Sequence, residues 1–272
     1  MISVINNVAS LTAENALSST QASLQNTLTE LSTGMKLTSG ASDPAALSVA
    51  NGLGANISAL TQSSQNATDG IGLLQTADGA LSQVTTLLNQ AVTIATEASN
   101  GGLTTAQLSA ADAEFTSIKN EITQIGSTTN FNGVAVFSSS AQNVYTTDGT
   151  SGTTTSTSIG ALSASGTGGL GLTGSLTSAS GAQAALTTIM SAISTVAATR
   201  GTIGASVNQL NADTSVANTE VSNLTSAQND IQNADIGQTV AQMTQYNVLE
   251  QTGMAALQQS NAAAQNVLKL LQ

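Results

Sequence analysis

Cysteine, histidine and tryptophan are absent from this chain, and proline occurs once. Without cysteine there is neither a disulfide scaffold nor a thiolate metal site. Without histidine there is no imidazole base, and the H-E-x-x-H zinc-protease pattern cannot be written. Aromatic residues make up 2% of the 272 positions and charged residues 7%, whereas an ordinary globular domain is about a quarter charged. A core so poor in rings has to be built from Ala, Leu, Ile and Val, which suits the narrow seam between helices better than the broad interior of an enzyme. No cofactor site and no catalytic residues are expected. A carboxylate pair could in principle do acid–base work, but the acids are scattered and nothing marks a pocket.

Basic residues are almost as scarce. Lys36, Lys119, Arg200 and Lys269 face 15 acids, for a net charge of −11. Four cations cannot neutralise a run of phosphates, so no nucleic acid and no membrane partner is expected. No run of about 18 apolar residues suggests a spanning helix. No basic segment followed by an apolar one marks a secretory signal at the N-terminus, so a role outside the cell requires another exit route.

What the chain does have is periodicity. Steps of three and four from Ala50 land on Leu53, Ile57, Leu60, Ala67, Ile71, Leu74, Leu81, Leu88, Val92 and Ala95, interrupted by Ser64, Asp78 and Thr85. The same stepping from Leu186 lands on Ile189, Ile193, Val196, Ile203, Val207, Leu210, Ala217, Val221, Leu224 and Ile231, interrupted by Arg200, Thr214 and Gln228. A 3.5-residue repeat sustained from 50 to 95 specifies a coiled-coil seam about 70 Å long. Two seams of equal length in one chain pair most simply with each other, antiparallel. Arg200 is expected to be a structural ion-pairing or snorkelling residue, and Asp78 to face solvent at a local phase shift.

Local signals bound these helices. Ser42-Asp43-Pro44 offers an N-cap acceptor before a proline at the first helical position, and Asn100-Gly101-Gly102 ends the helix. Leu108, Ala111, Phe115, Ile118, Ile122 and Ile125 predict a shorter helix returning along the first. Asn130–Gly133 reads as a turn, and Val134–Phe137 with Asn143–Thr146 as a small hairpin. Gly70, Gly72 and Gly79 fall inside the long helix, each costing about 1 kcal/mol relative to Ala, which packing must offset. Ser, Thr and Gly dominate 138–180, which reads as a surface excursion without a core of its own.

Both ends carry apolar columns. N-terminally these are Val4, Val8, Leu11, Leu17, Leu24, Leu28 and Leu31; C-terminally one column holds Met243, Leu257, Ala264 and Leu271, and its companion Val240, Met254 and Leu268. Each end alone is a marginal helix in water. Paired, and packed against copies of the same chain, they form a long buried rod. The fold class expected is mainly α: a long antiparallel coiled-coil bundle with a small β-hairpin region, its termini pairing as a terminal coiled coil.

Ordered motifs stand at both ends. Towards the N-terminus they are Leu31-Ser32-Thr33-Gly34-Met35-Lys36-Leu37 with Ser42–Leu47, Asn66–Ile71 through Gln75–Leu81, and Thr129–Gly133. At the other end they are Arg200–Ala205, Asn233–Ile236 and Gln251–Ala255 through Gln265–Leu271. Together these motifs resemble those of the bacterial flagellins, the subunits of flagellar filaments. The chain departs from the family in ending at Gln272 rather than arginine, in having Ala264 where proline is usual, and in its short central region.

The resemblance implies a division into 1–42 and 233–272 as the two parts of a filament-core domain, 43–137 and 182–232 as the parts of a spoke domain, and 138–181 as a short insert. It implies a homo-oligomeric extracellular filament for motility, whose terminal helices fold on assembly. Its implied partners are a flagellar export chaperone, the type III export apparatus, and hook-associated junction and cap proteins. It also implies that Leu88, Gln90 and Ile94, with Glu114, match a segment gripped by a vertebrate flagellin-sensing receptor. Gln90 stands where many flagellins have arginine, so contact with that receptor is expected to be weak. Two rival readings stand beside it: a hook–filament junction protein, which shares both termini, and a secreted coiled-coil adhesin or effector with no filament role.

Overall fold

The computed structural model describes residues 7–138, 142–145, 154–157, 159–165 and 169–270. Five helices dominate: α1 (Val8–Thr33), α2 (Pro44–Ala98), α3 (Thr105–Thr128), α4 (Ala179–Gln232) and α5 (Ile236–Leu270). The chain divides into two compact units, Met1–Ala55 with Asn223–Gln272, and Asn56–Ser222. The division falls inside α2 and α4, whereas the helix breaks lie at 34–43 and 233–235.

Caps set the helix ends. Asp43 Oδ1 accepts from the backbone N–H groups of Ala45 (3.1 Å) and Ala46 (2.9 Å), leaving Pro44 in the first-turn place where no N–H is needed. Thr104 and Gln107 form a reciprocal capping box at the start of α3. Gly34 closes α1 with φ 70° and donates its N–H to Glu30 O at 2.8 Å.

In the 56–222 unit, α2 and α4 run antiparallel, as the cross-links Ser64–Asn218 and Asp78–Arg200 require. The buried residues that α2 gives this unit are Leu60, Ser63, Ala67, Leu74, Ala77, Leu81, Val84, Leu88, Ala91, Ile94, Ala95 and Ala98. One column of the sequence-derived seam is therefore buried as expected. The other lies one residue earlier, at 63, 77, 84 and 91 in place of 64, 78, 85 and 92. In α4, Ile189, Val196, Ile203, Leu210 and Ala217 are buried where the repeat puts them, while Ala185 and Ala192 replace Leu186 and Ile193. Small alanines let the backbones approach, and the bulkier Ile71, Val92, Leu186, Ile193 and Val207 flank the seam half-buried. By length and composition alone one window of α4, at mean hydropathy 1.2, is apolar enough to cross a membrane. Its apolar column is instead turned into the bundle core.

The small strands pair differently from the sequence expectation. β1 (Asn130–Phe131) pairs with β2 (Val134–Ala135), and β3 (Gln142–Tyr145) with β4 (Thr154–Thr157), both antiparallel. Asn132 and Gly133, at φ 50° and 80°, form a two-residue loop that closes the first hairpin on itself, the strong short-range signal carried by Asn-Gly. Val136 and Phe137, expected as strand residues, enter the core at 1% and 8% exposure.

The expectation of a coreless excursion over 138–180 is also corrected. Leu162, Ala164, Leu172 and Leu176 are buried in the same core as the helices. Backbone groups tie the segment down: Ala164 N–H donates to Thr123 Oγ1 (3.3 Å) and Leu176 N–H to Asp112 Oδ1 (2.7 Å) on α3. Gly126 is where the segment crosses α3, and a Cβ there would lie 1.9 Å from Leu162 O. The short apolar pieces form no separate core because they complete an existing one.

Candidate assembly interface

The unit containing both ends is built on α1 and α5, which run antiparallel. Asn7 Nδ2 donates to Ser260 O at 3.2 Å, Ser10 Oγ to Asn261 Oδ1 at 3.2 Å, and Gln21 Nε2 to Glu250 Oε1 at 3.2 Å. Where the chain leaves the pair, Lys36 N–H donates to Gln232 O (2.7 Å) and Ala234 N–H to Gly34 O (3.0 Å), around an antiparallel bridge between Met35 and Asn233. Gln228 Nε2 reaches Ala50 O at 3.1 Å.

The covered positions follow the 3.5-residue repeat closely. On α1 they are Ser10, Ala13, Leu17, Thr20, Ser23, Leu24, Thr27, Glu30 and Leu31; on α5 they are Thr239, Gln242, Met243, Tyr246, Glu250, Gly253, Leu257, Ser260 and Ala264. Two-thirds of these are small or polar, so the pair is held less by apolar bulk than the other unit. Thr27 and Thr239, both 4% exposed, settle their hydroxyls by donating to Ser23 O and Asp235 O one turn back. A search for apolar columns passes over both threonines, because it scores them as interruptions.

Of the terminal residues singled out from the sequence, Leu17, Leu24, Leu31, Met243 and Leu257 are partly covered within the chain itself. Val8, Leu11, Leu28, Val240 and Met254 are exposed, Val8 at 68%, and Ile236, Val248 and Leu249 join them. Val4 and Leu271, and the side chain of Leu268, lie outside the described residues. α1 and α5 together carry only Glu14, Glu30, Glu250 and Lys269 as charged residues, so few charges would need desolvation if these faces were covered.

The seam residues in the other unit divide by depth. Leu60, Leu74, Leu81, Leu88, Val196, Ile203 and Leu210 are buried, and Ile57, Ile71, Ile193 and Val207 half-buried. Val221 in this unit and Leu224 in the first are half-buried as well. Asp78 faces solvent at the rim of the seam and also meets Arg200 there: Arg200 Nε to Asp78 Oδ1 is 2.7 Å and Nη2 to Oδ2 is 3.1 Å, with the side chains about two-fifths exposed. The Arg200 hydrogen bond holds the Asp78 carboxyl below its ordinary value against the opposing effect of burial. Arg200 is thus an ion-pairing residue, as expected.

The four residues matched to a receptor-binding segment do not share a surface. Gln90 and Glu114 are exposed, but Leu88 at 0% and Ile94 at 8% are core residues. In this fold those two side chains are unavailable to a partner. Two shallow hollows of about 360 and 220 Å³ flank α4 beside Ile159, Thr195 and Thr199. Thr195 and Thr199 donate their hydroxyls to α4 carbonyls, and among the described residues no cluster of acids, histidines or cysteines could hold a metal.

Comparison with known proteins fits this arrangement. The family model "Bacterial flagellin N-terminal helical region" matches residues 4–142, and "Bacterial flagellin C-terminal helical region" matches 186–271. A flagellin of Serratia marcescens is 41% identical over 140 residues, covering 51% of this chain and 40% of the relative. A flagellin of Salmonella muenchen is 39% identical over 137 residues, covering 50% and 27%, and Flagellin 1 of Proteus mirabilis is 34% identical over 152, covering 56% and 42%. These matches span less than half the length of each relative. A crystal structure of Bacillus cereus flagellin aligns with TM-score 0.49 at 26% identity, over 56% of this chain and 88% of that one. With both helical regions matched in order, this chain belongs to the bacterial flagellin family.

Proposed function

We propose that this chain is a structural subunit that polymerises with copies of itself into a flagellar filament outside the cell, serving motility, and that it acts without catalysis. The observation that carries this reading is the terminal pair, a nearly uncharged two-helix unit that leaves Val8, Leu11, Leu28, Val240, Val248, Leu249 and Met254 exposed. Covering a Val or Leu side chain is worth about 1.5–3 kcal/mol, so repeated contacts between copies offset the entropy of ordering two marginal helices. Residues 1–42 and 233–272 are assigned to the filament core and 43–137 with 182–232 to its spoke. Export through the type III apparatus with a chaperone, and capping by hook-associated junction and cap proteins, complete the reading.

Electron microscopy of the purified protein tests it, with long tubular polymers expected. Val8→Asp and Val248→Asp alter side chains 68% and 57% exposed, so helical circular dichroism should be retained while polymer is lost. Polymers of normal yield from both variants would remove the terminal pair from the assembly interface.

A further inference from the structure

We propose that the Asp78–Arg200 pair fixes the heptad register of α2 against α4, as a positioning contact whose role is specificity rather than strength. The buried columns by themselves barely distinguish registers. Leu60, Ala67, Leu74, Leu81, Leu88 and Ala95 on α2 face a core to which α4 contributes Ala182, Ile189, Val196, Ile203, Leu210 and Ala217. Sliding one helix by seven residues, about 10 Å, sets apolar residues on apolar residues again.

The flanking column breaks that degeneracy: beside the neutral Ser64–Asn218 hydrogen bond it holds the Asp78–Arg200 pair, its charged contact. In the observed register Arg200 forms a two-point fork on Asp78, at 2.7 and 3.1 Å. One heptad away in either direction, Arg200 would meet Ile71 or Thr85, and Asp78 would meet Ile193 or Val207. Ile71, Ile193 and Val207 pack against the core, so each slipped register brings a charged group against an apolar edge without its partner. Neither α2 nor α4 has another basic residue to substitute for Arg200. A half-exposed pair contributes little to stability, yet one polar contact at a single heptad position suffices to specify register. The register in turn decides which outward residues of the two helices stand level.

The absence of native cysteine makes disulfide trapping direct. Ser64→Cys with Asn218→Cys reports the native register, since the native side-chain oxygens are 3.3 Å apart. Ser64→Cys with Asn211→Cys, and Ile71→Cys with Asn218→Cys, report slips of one heptad in the two directions, pairs too distant for a disulfide in the native register. With Asp78 and Arg200 intact, only the native pair should form. In the Asp78→Leu/Arg200→Leu background a slipped pair should rise at least tenfold, and in Asp78→Arg/Arg200→Asp it should fall back. An unchanged slipped yield in the leucine background overturns the proposal. Should the leucine pair fail to fold, Asp78→Asn/Arg200→Gln is judged by the same criterion. Loss of helical content in both backgrounds also overturns it, because the contact would then supply stability rather than register.

Discussion

Three glycines inside α2 make a sharp test of the packing. A helical glycine costs about 1 kcal/mol relative to alanine, so Gly→Ala stabilises wherever the new methyl finds room. At Gly79 nothing lies within 4 Å of an added Cβ. At Gly70 a Cβ would sit 2.9 Å from Val144 Cγ2 and 3.3 Å from Leu210 Cδ1, and at Gly72 3.1 Å from Phe131 Cζ. The two hairpins rest on α2 there. Gly79→Ala should therefore gain about 1 kcal/mol, which raises Tm by about 2–4 °C for a unit of 150–250 residues. Gly70→Ala has the same helical gain opposed by overpacking of about 1–3 kcal/mol, so it comes out neutral to about 2 kcal/mol destabilised. Gly201→Ala, likewise open on α4, is an independent repeat of the Gly79 case. Urea and thermal unfolding of the unpolymerised protein, followed by helical circular dichroism, measure all three. A Gly70→Ala gain equal to that of Gly79→Ala would show that β3 does not rest on α2 as described.

Replacing Leu172, 1% exposed, by alanine should cost about 2–5 kcal/mol in the same unfolding assay; a loss under about 0.5 kcal/mol, the size of a surface change, would return 159–176 to a surface loop. The lowered Asp78 pKa gives a signed pH effect: the pair stabilises above the ordinary carboxyl value of 3.8 and loses that contribution as acid carries the pH down through the folded value. Relative to Asp78→Asn, the native protein should therefore lose at most about 1 kcal/mol below pH 4 and nothing between pH 7 and 5; a difference already changing near pH 6 contradicts the assignment. Gln90→Arg should increase activation of a vertebrate flagellin-sensing receptor in reporter cells, since Gln90 and Glu114 are both exposed; strong activation by the native protein would refute weak detection.

The helices were legible because their signals are local and repeated. Ser42-Asp43-Pro44 is a chemical start signal, and each long apolar pattern persists over many turns. The small strands were less so. Apolar alternation over 134–137 invited a pairing with 143–146, but the Asn132-Gly133 loop closes its own two-residue ladder first, leaving Val136 and Phe137 to the core. For 159–176 composition was the wrong guide. Ser and Gly fill the spaces, while Leu162, Ala164, Leu172 and Leu176 carry the burial, and partners on α3 supply what a local reading of the segment does not contain.

The seam shows where such a reading stops. A 3.5-residue repeat defines two columns, and counting apolar residues chose the larger side chains, Ile71, Val92, Leu186 and Ile193, for the second. Close packing chose the alanines one position before three of these, Ala91, Ala185 and Ala192, and Ala77 before Asp78. Alanine at a seam lets two helices approach, and the displaced bulky residues then seal its edge half-buried. That same shift explains Ser64, Asp78, Thr85 and Arg200, which looked like faults in a buried column. They stand on its rim, where Ser64 can bond Asn218 and Asp78 can meet Arg200 while both pairs keep contact with water. Polar interruptions in a long apolar repeat are therefore evidence about which column is the edge, and an alanine just before a bulkier apolar residue marks the buried one.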